Sequence, residues 1–478
     1  MMPDATVLDV STIGGEDGTV LVRLAEVLAE ARALPWETAL QRCLGLLRRL
    51  NRSELTLLER QRALQSFSEA FRFYGNDHPG VGAPPPAFLP FCEDLARGFK
   101  RLLLQILDSG RASRPHLAWC LYMAEHFVVQ ALLRHYQRYQ EPPASLWRDA
   151  HRLYALADHH GCLDEPIAAA FSPTPADSVR GLYQQILLFA LSSPFHLTEC
   201  EGPRLFGALA PLAHLARLLP WDEEDDSEGI LVDLDQDRPW LTAEQAMPTD
   251  LEQPGDGAPR PSLFRFEPGA LLIALDEPAP LQSEAEHALL ERVRSHWSGR
   301  HQRRHPRADH GAECALVVGL TGIHARLQGE AIAPSQVRML DTSSGGARLL
   351  CPAALGETVP VGQLALLLSA SGTPTLALVR WRHVNALGLH LGLRYLKGLP
   401  RPVWVRRVPS AQPHPAVLQS TPAPGAGWHH GLWLLKNQFV EGESLWLQLA
   451  SVGNQATLVL PRANLDTLQV ARYPLRLA

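Results

Sequence analysis

The spacing of apolar residues changes once along this chain, and that change limits the folds it can adopt. From residue 20 to residue 220, leucine and alanine recur at helical spacing with arginines between them. After residue 310, the apolar residues form short runs bounded by Gly, Pro and Asn. A chain with this order of patterns is expected to fold as helices first and as short strands afterwards.

The first part of the chain predicts a set of amphipathic helices. Beyond the first pattern at residues 21–51, further helices are predicted at 52–74, 87–109, 113–139, 144–161, 177–192 and 203–218. Stretches rich in Pro and Gly, such as GNDHPGVGAPPP at 75–86, separate them. We therefore expect residues 1–220 to form an all-α helical bundle or a short solenoid.

Residues 221–297 differ from both neighbours. They begin with the acidic run DEEDDSEG at 222–229, a solvated linker in our interpretation. Two later segments, ILVDL and SLFRFEPGALLIALD, are typical of strands, and residues 283–299 predict an amphipathic helix. This part is therefore predicted to be an acidic linker with strands and a connecting helix.

The remaining apolar runs predict two β units. Residues 298–405 contain five such runs: ECALVVGLTGIHARL, GARLLCP, GQLALLLSA, TLALVRWRHV and LGLHLGLRYL. Short strands at this spacing indicate a small antiparallel β-barrel. Residues 406–478 are predicted to hold a linker at 409–427 and then a C-terminal β unit of short strands.

Composition limits the partners of this chain. The formal net charge is −6, which argues against a general electrostatic grip on nucleic acid. No apolar stretch approaches the roughly 20 residues that a membrane helix needs, so no membrane insertion is expected. The N-terminus lacks a signal-peptide pattern. Seven scattered cysteines without a Cys-x-x-Cys pair predict reduced, mostly buried thiols in a cytoplasmic protein.

An arginine cluster stands out against this acidic background. Four arginines fall within eight residues: Arg300, Arg303, Arg304 and Arg307. Downstream, between two strand-like runs, the chain reads Asp341-x-Ser343-x-x-Gly346. Guanidinium groups clamp phosphates and stack on bases, whereas Asp and Ser in a turn can hydrogen-bond a polar ligand edge. Together they suit a ligand that carries both phosphates and purines.

The order and spacing of these two motifs resemble the signature of PilZ domains, which bind cyclic di-GMP. The resemblance covers residues 298–400 and includes the runs VPVGQLALLL and ALVRW…HLGLRY. It implies that Arg303 and Arg307, assisted by Arg304, hold phosphates and stack on guanine. It also implies that Asp341 and Ser343 hydrogen-bond a guanine and that Gly346 shapes the turn.

The resemblance carries further expectations for ligand and partners. Arginine-rich sites in this family often take two intercalated cyclic di-GMP molecules, and no other cofactor or metal is implied. The arm at residues 298–308 is expected to be mobile without ligand and to order on binding. The helical region would then bind an unknown protein partner. Multidomain members commonly regulate bacterial motility, type IV pili, biofilm attachment or exopolysaccharide, which suggests polar, pilus-associated or flagellum-associated localisation.

Catalysis finds little support in the sequence. A glycine-rich phosphate loop, a His-Glu-x-x-His motif and a Gly-x-Ser-x-Gly elbow are all absent, as are the motifs of enzymes that make or degrade cyclic di-GMP. We therefore expect a receptor rather than an enzyme. Two alternatives stay open: a PilZ-like scaffold that acts only through protein contacts, and an unrecognised enzyme with its active site in the helical half.

Overall fold

A computed structural model gives the fold in two compact units. One unit comprises residues 1–194 and 199–301, and the other comprises Phe195–Thr198 with residues 302–478. These units are coarser than the four predicted segments, whose boundaries at 220, 297 and 405 stay predictions. The structure describes residues 24–76, 85–110, 113–167, 177–221, 229–242, 245, 262–276, 283–298, 308–355, 359–369, 373–422, 427–449 and 455–475.

Helices dominate the first unit, which confirms the all-α prediction for the N-terminal region. Its first eight helices are α1 (Leu24–Arg32), α2 (Trp36–Arg52), α3 (Leu57–Asn76), α4 (Phe88–Ser109), α5 (Arg114–Gln137), α6 (Ala144–His159), α7 (Val179–Leu191) and α8 (Glu201–Leu209). Helix α5 is the centre of the packing, because it buries residues on every face and contacts α4, α6, α7 and α8. The predicted helix at 203–218 is shorter than expected, since Ala210–Leu215 continues α8 as a 3-10 helix and a strand follows.

A small antiparallel sheet follows the helices in the same unit. Its strands are β1 (Arg217–Pro220), β2 (Ile230–Asp233), β3 (Leu241–Thr242) and β4 (Leu263–Glu267), in the order β1-β4-β2-β3. The strand prediction fails after Glu267, because Gly269–Ala274 forms the short helix α9. Pro268 lacks an N–H, which suits a helix start better than a continued strand. The predicted connecting helix is confirmed as α10 (Glu284–Trp297), which begins with a capping box at Ser283 and Glu286.

Six antiparallel strands in the second unit close into a barrel, as predicted. They are β5 (Ala308–Val318), β6 (Ser335–Ser343), β7 (Gly346–Cys351), β8 (Leu364–Leu368), β9 (Pro374–Asn385) and β10 (Gly388–Tyr395), in the closed order β10-β7-β6-β5-β8-β9. Alternate residues of each strand fill the interior, where Leu349, Leu391 and Val379 are fully buried. Closure leaves this sheet without an exposed edge.

One predicted strand in the barrel segment is partly a helix. The run ECALVVGLTGIHARL ends as helix α11 (Leu320–Leu327) rather than continuing β5. Gly319 adopts a φ of +87°, a conformation that only glycine takes readily, and it breaks the strand there. Leu320 and Ile323 then stand three residues apart, so both are buried on one face of the helix.

A second, seven-stranded antiparallel sheet completes this unit and confirms the predicted C-terminal β unit. Its members are β11 (Leu399–Arg406), β12 (His414–Pro422), β13 (Trp428–Leu435), β14 (Ser444–Leu449), β15 (Gln455–Val459), β16 (Leu465–Asp466) and β17 (Val470–Leu475). The linker predicted at 409–427 is wrong where β12 lies. The prolines in this segment predict a loop, but it forms a strand whose residues 416–418 are buried on both faces of the sheet. Strand β11 pairs in this sheet although it begins at Leu399, within the segment predicted to be the barrel.

The described residues include all seven cysteines and every helix named above. Within them, no helix combines the length and the apolar character that crossing a membrane requires. All seven cysteines are free thiols and six of them are buried, as predicted, while Cys200 is exposed.

Candidate functional site

The barrel strand β5 leads directly out of the arginine arm. Arg300, Arg303, Arg304 and Arg307 lie outside the described residues, so their predicted roles stay predictions. Description of the chain resumes at Ala308, whose pairing partner on β6 is Thr342. Thr342 stands between Asp341 and Ser343 of the second motif. The arm is therefore connected to the barrel next to Asp341 and Ser343, with which it is predicted to share the ligand.

A β-bulge determines the direction of Asp341. Val337 and Met339 point into the barrel core, and strict alternation would send residue 341 inward as well. The register of β6 against β7 shifts between Met339 and Asp341, which turns the carboxylate to the outer face. Its partner across the strands is Arg348, which lies between the inward-facing Ala347 and Leu349.

Arg348 neutralises a carboxylate that would otherwise face another acid. Asp341 also pairs with Asp309 on β5, and like charges directly opposite each other destabilise a sheet. The Arg348 Nε lies 2.8 Å from Asp341 Oδ2. The Asp341 side chain is 9% exposed and that of Arg348 is 43% exposed. The ion pair thus presents a fixed carboxylate beneath a guanidinium that remains accessible at the surface.

Ser343 closes the hairpin between β6 and β7. Its Oγ accepts a hydrogen bond from the Gly345 N–H at 3.3 Å and donates to the Gly346 carbonyl oxygen at 3.3 Å. Thr342 Oγ1 lies 3.0 Å from the Tyr395 hydroxyl and ties this hairpin to β10. In this structure the serine hydroxyl therefore stabilises the turn, as Ser side chains do in such turns.

Gly346 is required by space rather than by backbone conformation. Its φ lies outside the left-handed region, so its backbone conformation does not by itself require glycine. A Cβ at this position would instead overlap the carbonyl oxygen of Leu393 on β10 and lie 3.1 Å from the carbon of that carbonyl. The glycine thus lets β10 approach the motif closely.

An indole lies on the same outer face, one strand further along. Arg348 pairs with Gly392 on β10, and Gly392 pairs with Trp381 on β9. A Cβ on Gly392 would overlap the Trp381 indole, so this ring covers the glycine. A carboxylate, a guanidinium and an aromatic ring therefore stand in one row across four strands. Such a row can hydrogen-bond a purine edge and stack on its face.

The surface around this row carries charges of both signs, because Asp309 and Glu313 on β5 lie opposite Asp341 and Arg338. Arg338, Arg348 and Arg394 belong to the same strands, and the first and the last of them are exposed. Nearby, burial lowers the pKa of His390, and the charges of His383 and Arg348 lower it further. The ring centroids of Phe195, in the segment Phe195–Thr198, and of His383 are 4.8 Å apart.

The structure thus brings together the second half of the predicted site. Asp341, Ser343 and Gly346 share one hairpin on the barrel surface. Sequence reasoning missed Arg348 and Trp381 as members of the same row. Arg348 follows Gly346 by two residues, so strand alternation places both on the same face of the sheet. The bulge that brings Asp341 opposite Arg348 is not visible in the sequence.

Several titratable groups are buried among the described residues of the helical region. Lys100 forms an ion pair with Asp149, and His151 Nδ1 lies 2.7 Å from the Tyr183 hydroxyl. Glu125 is fully buried, and neither carboxylate oxygen has a hydrogen-bond partner among the described residues. These groups line neither the cavity of about 590 Å³ beside the small sheet nor that of about 140 Å³ between α2 and α4. In the part of the chain that the structure describes, no cluster of three or more His, Cys, Asp or Glu could hold a metal ion.

Comparison with known proteins adds information on the helical region. No curated protein matches the chain. Residues 23–223 match the family model described as the N-terminal domain of the cyclic-di-GMP receptor FimW. This range corresponds to α1–α8 and the start of the small sheet, and it does not overlap the barrel. Over about two fifths of its length, the chain is therefore similar to the N-terminal domain of a cyclic-di-GMP receptor.

Proposed function

We propose that this protein is a cyclic di-GMP receptor whose barrel is a PilZ domain. Two independent observations support the proposal, because they concern parts of the chain that do not overlap. Residues 23–223 are similar to a domain of a cyclic-di-GMP receptor. The first PilZ-like motif, at 303–307, precedes the barrel in the chain, and the second, at 341–346, lies in the barrel.

The observation that carries the proposal is the placement of the second motif. The bulge before Asp341 turns its carboxylate outward, and Arg348 and the Trp381 indole stand in the same row. A carboxylate accepts hydrogen bonds from the N–H groups of a guanine edge. The arginines of the arm, joined to the barrel at Ala308, would supply phosphate contacts beside it.

Binding would act by recruiting the arm at 298–308 onto the barrel surface. In this proposal, one or two cyclic di-GMP molecules bridge the arginines of the arm and the row formed by Asp341, Arg348 and Trp381. The ordered arm then changes what the helical region presents to a protein partner. The protein would act without catalysis, and regulation of pili, motility or attachment is the expected output.

The experiment is calorimetric titration of cyclic di-GMP into the full chain and into matched variants. Asp341→Asn removes the charge of the proposed guanine acceptor, and Asp309→Asn removes the same charge from the residue opposite it on β5. A hydrogen bond to a charged group contributes about 1.5–3 kcal/mol, so Asp341→Asn should weaken binding by roughly ten- to a hundredfold. Asp309→Asn should change it little.

The arm is tested in the same titration. Arg307→Ala is expected to weaken binding at least about tenfold, whereas Arg326→Ala on the exposed side of α11 is not. Equal affinity in the Arg307 and Arg326 variants would refute the role of the arm. Absence of any binding by the full chain would instead favour a scaffold that acts through protein contacts.

A further inference from the structure

A second concentration of arginines lies in the helical region, far along the chain from the arm. The C-terminal half of α2 and the middle of α4 line a cavity of about 140 Å³. We call it the arginine groove. Its charged lining is formed by Arg48, Arg52, Arg97, Arg101, Glu93 and Asp94.

The two acids of the arginine groove are already engaged. Arg48 Nε donates to Asp94 Oδ2 at 3.0 Å, and Arg97 donates to the other oxygen of the same carboxylate. The Asp94 side chain is 4% exposed, so it acts as a buried brace between two guanidinium groups. Glu93 pairs outside the charged lining with His135, at 3.1 Å.

Two arginines at this place also donate to neutral oxygen atoms. Arg101 donates to the main-chain oxygen of Asn51 at the end of α2. Behind it, the buried Arg60 donates to the side-chain oxygen of Gln105 at 3.0 Å and to the main-chain oxygen of Ser53 at 3.1 Å. Burial and the neighbouring Arg101 lower the pKa of Arg60 to about 10. The lining of the arginine groove holds four arginines and two acids, so its positive charge exceeds its negative charge.

A purely structural role accounts for only part of this arrangement. Arg60 and Arg101 satisfy carbonyl groups at the end of α2, and Asp94 holds Arg48 and Arg97 in place. Arg52 is an exposed residue of the lining and takes part neither in the bonds to these carbonyl groups nor in the ion pairs of Asp94. Four guanidinium groups around a concave space, with both acids engaged, leave a net positive site.

We propose that the arginine groove binds a phosphate group. Guanidinium forks match the oxygens of phosphate, and several of them can share one such group. The cavity can admit a phosphate, but it is smaller than the roughly 300 Å³ from which pockets for whole small molecules begin. The group would be free phosphate or a phosphorylated side chain, not an entire nucleotide. This site is distinct from the barrel surface and does not depend on cyclic di-GMP binding.

The test is calorimetric titration of the full chain in a chloride buffer without phosphate. Potassium phosphate should bind saturably, and Arg52→Gln should weaken this binding at least about tenfold. Arg62→Gln is the matched control, because it removes one charge from an exposed position of the adjacent helix α3 outside the arginine groove. Arg62→Gln should leave phosphate affinity unchanged, and both variants should keep the wild-type melting temperature to within a few degrees.

Further arms identify the source of the phosphate and separate the two sites. A phosphoserine peptide that displaces phosphate, while its unphosphorylated form does not, supports a side chain as the ligand. Phosphate binding without competition by the peptide supports a free anion. Cyclic di-GMP affinity should be the same in Arg52→Gln and in the unmodified chain. Absence of saturable phosphate binding, or equal weakening by the Arg52 and Arg62 variants, would overturn the proposal.

Discussion

Replacing Gly346 by alanine tests whether this motif glycine serves space or backbone conformation. An alanine Cβ would overlap the Leu393 carbonyl oxygen and would approach the carbonyl carbon of Leu393 and the Cα of Arg394 to 3.1 and 3.4 Å. These atoms are backbone of β10, so they cannot rotate away as a side chain could. Strand β10 must therefore move outward from β7, where Gly346 and Arg394 are paired.

The size of the effect follows from what that movement disrupts. Overpacking a well-packed site costs about 1–3 kcal/mol, and each weakened ladder hydrogen bond adds about 1 kcal/mol. We expect about 3 kcal/mol of destabilisation in the second unit, which contains residues 302–478. One kcal/mol lowers the melting temperature of a unit of this size by about 2–4 °C, so scanning calorimetry should show a decrease of about 6–12 °C.

A matched substitution separates crowding from a general effect of alanine. Gly322 lies in α11 of the same unit, and a Cβ there would meet only Val317 Cγ1, at an ordinary 3.5 Å. Gly322→Ala should be neutral or stabilising, since alanine favours a helix by about 1 kcal/mol over glycine. A Gly346→Ala protein that melts with the wild type would refute the close-approach argument. So would a Gly346→Asn variant that is clearly more stable than Gly346→Ala, because asparagine tolerates positive φ better than alanine.

Three further outcomes follow from the buried and exposed groups of the chain. Burial, and to a lesser extent the charge of Asp149, raises the pKa of Glu125. The contribution of this group to stability is therefore present below about pH 4.3 and is lost as pH rises towards the folded-state pKa. Glu125→Gln should unfold at higher urea than the wild type at pH 7, and a difference that persists unchanged at pH 4 would contradict this. Burial lowers the pKa of His126 to about 4, so the free energy of unfolding should fall as pH decreases from about 6.5 towards 4. The imidazole lies among Phe71, Tyr122 and Phe127, so His126→Phe should reduce that loss in acid unfolding curves. An equal loss in the variant would contradict the burial of the imidazole. Cys200 is the single exposed cysteine, so a thiol reagent should modify one site quickly in the native protein and none in Cys200→Ser, whereas rapid modification of several thiols would show that the helical core opens readily.

Much of the helical region could be predicted because long amphipathic helices have a strong periodic signal. The helix predicted at 144–161 is observed at Ala144–His159, and that at 113–139 is observed at Arg114–Gln137. Short apolar runs gave no such signal. The apolar runs GALLIA and GLTGIHARL predict strands, but the first follows Pro268, the second follows Gly319 with its positive φ, and both form helices, α9 and α11. Residues 414–422 contain two prolines and still form a central strand, because pairing on both sides and burial on both faces outweigh local propensity.

The candidate site could be predicted in part for a similar physical reason. Motif spacing identified Asp341, Ser343 and Gly346, because the turn chemistry is encoded within six residues of sequence. The row that includes Arg348 and Trp381 depends on strand register and on two bulges, one before Asp341 and one beside Gly392. Register is a property of pairing between distant segments, and a single sequence with no visible turn signal does not reveal it.

The segment Phe195–Thr198 decides which protein is suitable for binding measurements. This segment groups with the second unit although the helical region surrounds it in sequence, so a fragment that begins after residue 220 would lack part of the unit it is meant to represent. A truncated barrel that fails to bind would therefore be ambiguous. The full chain avoids this, and its variants differ from it by single side chains.

The most direct test is one calorimetric comparison of cyclic di-GMP binding by the full chain and by its Asp341→Asn and Asp309→Asn variants. We expect saturable binding by the full chain, a loss of roughly ten- to a hundredfold in Asp341→Asn, and near-equal affinity in Asp309→Asn. Binding that is unaffected by Asp341→Asn would place the ligand elsewhere. A folded full chain that binds no cyclic di-GMP at all would contradict the receptor proposal itself.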